Sequence, residues 1–103
     1  MTIIGAGGVS FDKFDASIRF QKDYKKLDST IQKLVDAKLL DLLKKPFPGG
    51  LKFEKLSGYA NPDVYTFHVT GNFKASLEVR RVEGFCIAYM RHVGNHDRID
   101  LNP

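Results

Sequence analysis

Residues 65–79 read YTFHVTGNFKASLEV, and this stretch decides the fold class. Apolar and polar side chains alternate on both sides of Gly71-Asn72, a typical turn pair. Alternation with a period of two predicts strands that have one buried and one solvent-facing side. Two such strands joined by a short turn are antiparallel neighbours, so the stretch predicts a β-hairpin.

Further strands are predicted on both sides of this hairpin. Glu83-Gly84 is a second turn signal, and the apolar run from Phe85 to Val93 after it predicts the most buried strand. Phe53 and Leu56 indicate a short strand before the hairpin. The second half of the chain therefore predicts three or four antiparallel strands.

The segment before residue 46 has a helical period instead. Ser29 and Gln32 have the spacing of a capping box, which predicts that a helix begins there. Pro46 and the FPGG turn end this helix, which we expect over residues 29–45. Its apolar side chains recur at steps of three and four and form one stripe, which consists of Ile31, Leu34, Val35, Leu39, Leu42 and Leu43.

The region before this helix is patterned less clearly. Residues 16–20 alternate enough to predict a short first strand, and residues 21–27 predict a short helix. Residues 1–15 contain the run GAGGVS, which lacks the lysine and hydroxyl residue of a phosphate-binding loop. We interpret residues 1–15 as an extension or an edge strand near residues 9–11, and residues 16–103 as one α+β domain.

Composition limits the class of protein. The chain has 103 residues, a net charge of +4 and one cysteine, Cys86. One cysteine excludes an intramolecular disulfide and fits a reducing compartment, so we expect a cytoplasmic location. No apolar run reaches the ~20 residues that span a bilayer, and no secretory signal is predicted, so a membrane partner is not expected. The sequence pI of about 9.3 favours anionic partners, nucleic acid above all.

Chemistry-bearing residues are concentrated after the last predicted strand. Residues 91–103 run from an apolar strand through Gly94 into His96, Asp97 and Arg98. A side chain held just beyond a central strand is positioned accurately, and histidine transfers protons near neutral pH. The alternative is a solvated loop in which Asp97 caps a turn.

At this point the chain resembles the RelE/ParE superfamily of bacterial type II toxins. The resemblance covers roughly residues 17–103 and depends on three segments in this order: LKFEKLSGY (51–59), VYTFHVTGNFKASL (64–77) and HVGNHD (92–97). It implies a small antiparallel sheet curled over two N-terminal helices, which agrees with the element order predicted above.

The resemblance also implies an activity. RelE-like toxins cleave messenger RNA, usually in the ribosomal A site, by activating a ribose 2′-hydroxyl against the adjacent phosphate. Such a reaction needs a base, an acid and cations, but no metal or other cofactor. The expected partners are a cognate antitoxin protein, messenger RNA and the ribosome.

Individual residues can be matched to the family pattern. Lys52 and Lys55 match a basic segment leading into the sheet, and Glu54 between them is interpreted as a strand-edge charge. Lys74 stands where many relatives have arginine, and His96 stands where relatives have arginine or histidine. The predicted catalytic residues are His96, Lys74 and Lys52, and the predicted RNA- or phosphate-binding residues are Lys55, Arg98 and Arg81.

Two departures from the family pattern leave alternatives open. Lysine at position 74 lacks the planar bidentate contact of arginine, and Asp100 stands where many active relatives have tyrosine. The alternatives to an endoribonuclease are a ParE-like toxin that binds DNA gyrase without nuclease activity and a degenerate RelE-like domain of a larger protein.

Overall fold

The computed structural model describes residues 10–44, 51–56, 58, 63–101 and 103. The predicted glycine-rich segment before residue 10 and the predicted turn at residues 46–50 lie outside these residues. The elements in chain order are β1 (Lys13–Ala16), α1 (Ile18–Lys25), α2 (Ser29–Leu42), β2 (Glu54–Lys55), β3 (Val64–His68), β4 (Phe73–Val82), β5 (Phe85–Asn95) and α3 (His96–Leu101).

The described strands form one sheet in the order β1-β5-β4-β3-β2. Strands β2 to β5 are antiparallel neighbours, which confirms the predicted hairpins. Glu83 and Gly84 both have positive φ, 50° and 83°, as the tight turn between β4 and β5 requires. Strand β1 pairs with β5 in the parallel direction, so the sheet is mixed rather than wholly antiparallel. Helices α1 and α2 lead from β1 to β2 at the opposite edge of the sheet, and β3 and β4 follow before the chain reaches β5.

Helices α1 and α2 pack on one face of the sheet, which confirms the predicted α+β class. In α2 the side chains of Val35, Leu39 and Leu42 are buried in the core, whereas Leu34 is 39% exposed. Adjacent residues of a helix point about 100° apart, and Leu34 is adjacent to the buried Val35. Leu34 therefore lies beside the buried stripe and not in it. The prediction that Leu34 is a core residue was therefore wrong. The sheet contributes Tyr65, Phe67, Ala75, Leu77, Cys86, Ala88, Met90 and Val93 to the same core, and Val69, which follows β3, joins them.

One predicted element boundary and one predicted capping residue were also wrong. Ser17 caps α1 by accepting a hydrogen bond from the backbone N–H of Phe20, so residues 18–20 are helical and not part of a first strand. Asp28, not Ser29, caps α2, and its carboxylate accepts from the backbone N–H of Ile31. In both places a hydroxyl or carboxylate next to the first free N–H groups sets the helix start.

The other face of the sheet is covered by the C-terminal segment. Ile99 of α3 is only 1% exposed, although it lies outside the main core cluster. The carbonyl oxygen of Pro103 accepts from the guanidinium of Arg91 at 3.0 Å and from the hydroxyl of Ser76 at 3.5 Å. These contacts hold α3 across β4 and β5. In the part of the chain that the structure describes, no helix is long and apolar enough to cross a membrane.

Candidate functional site

The first residue of α3 is anchored to the turn between β3 and β4. The backbone N–H of His96 donates to the carbonyl oxygen of Asn72 at 2.7 Å. An open depression of about 540 Å³ lies between these two segments, and it is lined by Gly71, Asn72, Phe73, Asn95, His96 and Asp97. The predicted catalytic histidine therefore stands at the rim of a surface depression.

Sheet register brings a second histidine to the same place. His68, the last residue of β3, is directly opposite Lys74 of β4, and Lys74 is opposite Gly94 of β5. Directly opposite residues share a face of the sheet. The imidazole rings of His68 and His96 have their centroids 5.7 Å apart. The structure thus joins the two predicted residues Lys74 and His96, and it adds His68.

Asp100 completes this cluster. Its Oδ1 lies 2.8 Å from Nζ of Lys74, and its Oδ2 lies 3.0 Å from Nδ1 of His96. Asp100 follows His96 by one helical turn, and residues at that spacing are neighbours on a helix surface. We use the term histidine–lysine cluster for His68, Lys74, His96 and Asp100.

The cluster has a distinct electrostatic character. Burial lowers the pKa of His68 below its ordinary value, and the positive charges of Lys74, Lys52 and His96 lower it further. The hydrogen bond from Lys74 holds the pKa of the Asp100 carboxyl below its ordinary value. His68 is therefore a neutral imidazole near pH 7, and Asp100 is ionised.

The remaining predicted residues are placed in three different ways. Lys52 is exposed, has a positive φ of 50°, and lies close enough to lower the pKa of His68. Lys55 lies on the edge strand β2, and its Nζ is 3.6 Å from Oδ1 of Asp63. Arg81 lies at the other end of β4 from Lys74, about 23 Å away at about 3.3 Å per residue, so it is not brought to the cluster.

Arg98 takes part in a separate, partly buried contact. Its guanidinium donates to Asp23 at 3.1 Å, and the Asp23 side chain is only 2% exposed. The other oxygen of Asp23 accepts from the backbone N–H of Val93 at 3.4 Å and lies 3.5 Å from Nδ1 of His92. Arg98 passes over Gly94, where an added Cβ would lie 3.6 Å from its side chain. Arg98 therefore connects α3 to α1.

Sequence reasoning missed two members of the cluster. The alternation in residues 65–70 assigns His68 to the polar face of a strand, and the hairpin register places that face opposite Lys74. That signal was available in the sequence. Asp100 had no such signal, because its contact with Lys74 depends on how α3 lies over the sheet. In the described residues, no three His, Cys, Asp or Glu side chains are arranged to hold a metal ion.

Comparisons with known proteins agree with this fold. No family model matches the chain, and no curated protein sequence matches it. A solved structure, a YoeB/ParE toxin from Agrobacterium tumefaciens, superposes with a TM-score of 0.65 at 16% identity, covering 82% of this chain and 98% of that one. This likeness supports the resemblance to the RelE/ParE superfamily at the level of the fold. The chain thus has the α+β fold of a YoeB/ParE toxin, which is the RelE-like fold expected from its sequence.

Proposed function

We propose that the chain is the toxin of a type II toxin–antitoxin system and acts as a metal-independent, ribosome-dependent endoribonuclease on messenger RNA. The observation that carries this proposal is the His68–His96 ring pair, 5.7 Å between centroids, beside the nearly buried ammonium group of Lys74. Two imidazoles and a fixed cation can supply the base, the acid and the positive charge that cleavage by a ribose 2′-hydroxyl needs. The toxin-like fold supports the same proposal.

His68 is the proposed general base. Its lowered pKa keeps the ring neutral near pH 7, so it can accept the proton of the 2′-hydroxyl. The 2′-oxygen then forms a bond to phosphorus, and the bond from phosphorus to the 5′-oxygen of the next nucleotide breaks. The products are a 2′,3′-cyclic phosphate and a free 5′-hydroxyl.

His96 is the proposed general acid, and Lys74 the proposed phosphate ligand. The carboxylate of Asp100 beside Nδ1 stabilises the positive charge of the His96 imidazolium, which donates a proton to the leaving 5′-oxygen. The ammonium group of Lys74 stabilises the negative charge that develops on the phosphate oxygens. Lys52, which is exposed near His68, adds positive charge at the same end of the sheet.

Lys55, Arg98 and Arg81 have secondary roles in this proposal. Lys55 and Arg81 lie outside the cluster, so they would contact phosphates of flanking nucleotides. Arg98 remains close to the site through α3, but its guanidinium also holds Asp23. The proposed partners are a cognate antitoxin protein, messenger RNA and the ribosome, and the proposed location is the cytoplasm.

The test is cleavage of ribosome-bound messenger RNA in a magnesium buffer by the purified chain, which is first treated with EDTA and desalted. We expect the treated chain to cleave as fast as the untreated chain and to leave 2′,3′-cyclic phosphate ends. His68→Ala and His96→Ala should each reduce the rate by about 10²–10⁴-fold, as is typical for loss of a proton-transfer group. His92→Asn is the matched control, because His92 contacts Asp23 and not the cluster. Intact messenger RNA after incubation with well-folded wild-type chain would refute the nuclease proposal.

One observation favours the gyrase-binding alternative. Three of the predicted cations, Lys74, Arg98 and Lys55, are paired with carboxylates of the same chain, which reduces the charge they offer to phosphate. A chain that leaves messenger RNA uncut but inhibits supercoiling by purified DNA gyrase would establish this alternative. A chain that is inactive in both assays would indicate the degenerate domain.

A further inference from the structure

Asp100 uses its two carboxylate oxygens on two different members of the cluster. Oδ1 is 2.8 Å from the ammonium group of Lys74, and Oδ2 is 3.0 Å from Nδ1 of His96. An ionised carboxylate only accepts hydrogen bonds. The ammonium group of Lys74 donates to Oδ1. The carboxylate also favours a proton on Nδ1 of His96, because an unprotonated Nδ1 at 3.0 Å would place its lone pair against the negative charge.

This arrangement fixes the proton on one nitrogen of His96. A neutral imidazole has one N–H donor and one acceptor nitrogen, and a partner on one nitrogen determines which is which. With the carboxylate at Nδ1, the proton stays on Nδ1, and Nε2 becomes the atom that gains and loses a proton. The backbone N–H of His96 donates to the carbonyl oxygen of Asn72, which fixes the backbone position from which the ring projects.

The same carboxylate accounts for the burial of Lys74. The Lys74 residue is only 7% exposed, and a charge removed from water to that extent needs a charged partner. An ammonium group has three N–H donors, of which Asp100 occupies one. Two donors remain for other acceptors, so the ion pair orients Lys74 without using up its hydrogen-bonding capacity.

From this geometry we infer that Asp100 is a positioning residue, which holds His96 in the Nδ1–H tautomer and fixes the ammonium group of Lys74 beside it. The inference deepens the proposed nuclease function and rests on it for the catalytic consequence. Its structural part, the tautomer of His96, can be measured whether or not the chain cleaves RNA.

Asp100→Asn is the decisive variant because it preserves the shape of the side chain. The amide oxygen can still accept from Lys74, whereas the amide NH₂ then faces Nδ1 of His96 and donates to it. The proton of His96 should therefore move from Nδ1 to Nε2. Asp41→Asn is the matched control, since it removes one negative charge from an ion pair on α2, away from the cluster.

The measurement is ¹⁵N NMR of histidine-labelled protein at a pH where the histidines are neutral. We expect His96 in the Nδ1–H form in wild type and in Asp41→Asn, and in the Nε2–H form in Asp100→Asn. Cleavage assays should show kcat reduced by about 10²–10⁴-fold in Asp100→Asn, because a neutral Nε2–H is a poor acid, while KM stays near the wild-type value.

Each outcome decides one part of the inference. An Nε2–H tautomer in wild type, or an unchanged tautomer in Asp100→Asn, would overturn the positioning role. The expected tautomers in a wild-type chain that cleaves no RNA would support that role and refute the nuclease function separately. The expected tautomers with unchanged kcat in Asp100→Asn would overturn the catalytic consequence.

Discussion

The ammonium group of Lys74 lies 2.8 Å from Oδ1 of Asp100, although the two residues are separated by 26 positions in the chain. One comes from the middle of the sheet and the other from the helix that crosses it. The contact allows a lysine on a covered face of the sheet to keep its charge, and it places that charge beside His96.

Lys74→Met should weaken RNA binding in a salt-dependent way. The change removes one cation but keeps the length of the side chain, so the slope of log K against log salt should fall by about 0.7 for single-stranded RNA. Lys33→Met on the exposed surface of α2 is the control for net charge. A slope equal to that of wild type in Lys74→Met would show that Lys74 does not contact phosphate.

Protonation of His68 should cause the decline in cleavage rate at low pH. Burial and the positive charges around His68 lower its pKa below 6.5, and a general base acts only in its neutral form. The rate kcat/KM should therefore decline only below pH 6.5, and the decline should disappear in the residual activity of His68→Ala. If kcat/KM of His68→Ala still declined over the same pH range, the decline would belong to another titrating group.

Arg98→Ala should destabilise the fold as well as alter the site. The change leaves the buried carboxylate of Asp23 without its guanidinium partner, and we expect a cost of about 1–3 kcal/mol in the free energy of unfolding. Urea unfolding of Arg98→Ala, Asp23→Asn and the double variant measures the coupling between the two residues. Lys25→Ala, an exposed charge change on α1, is the control. Additive effects of the two changes would argue against the ion pair.

Stability should decrease as the pH falls from 7.5 to 5.5. Burial lowers the pKa of both His68 and His92 below 6.5, so the unfolded chain binds more protons than the folded chain in this range. The free energy of unfolding begins to fall below pH 6.5. It becomes constant once the pH is below the folded-state pKa values of both histidines. Asp100, whose pKa is lowered from 3.8, loses its contribution only in stronger acid. Urea unfolding at several pH values is the measurement, and the dependence should weaken in His68→Asn and His92→Asn. A wild-type stability that stays constant or rises on acidification would contradict this expectation.

Leu39→Ala should cost about 2–5 kcal/mol in the free energy of unfolding, because the side chain is removed from a packed core. Leu39 is only 7% exposed, whereas its neighbour Leu40 is 62% exposed. Leu40→Ala is therefore the control, with an expected change within about 0.5 kcal/mol. Equal costs at the two positions would mean that α2 packs on the sheet through a different face.

Local patterns in the sequence were sufficient for most of the fold. Period-two alternation and the turn residues predicted the antiparallel strands, and the helical stripe of α2 predicted the packing of its buried leucines. The errors occurred where neighbouring residues compete for one role. Ser17 caps α1 at a place that was predicted to be a strand, and Asp28 caps α2 one residue before the predicted cap, Ser29. The parallel direction of β1 was not predictable, since its partner β5 lies far along the chain and no local pattern records that pairing.

The candidate site divides in the same way between sequence and tertiary structure. The sequence by itself determined that Lys74 and His96 flank the ends of neighbouring strands, because alternation and short turns fix register locally. Only the tertiary structure decided that Asp100 joins these two residues and that Arg98 turns to the buried Asp23 instead. Both contacts depend on the position of α3 over the sheet, and packing of Ile99 and Pro103 against distant strands sets that position, which no local pattern records.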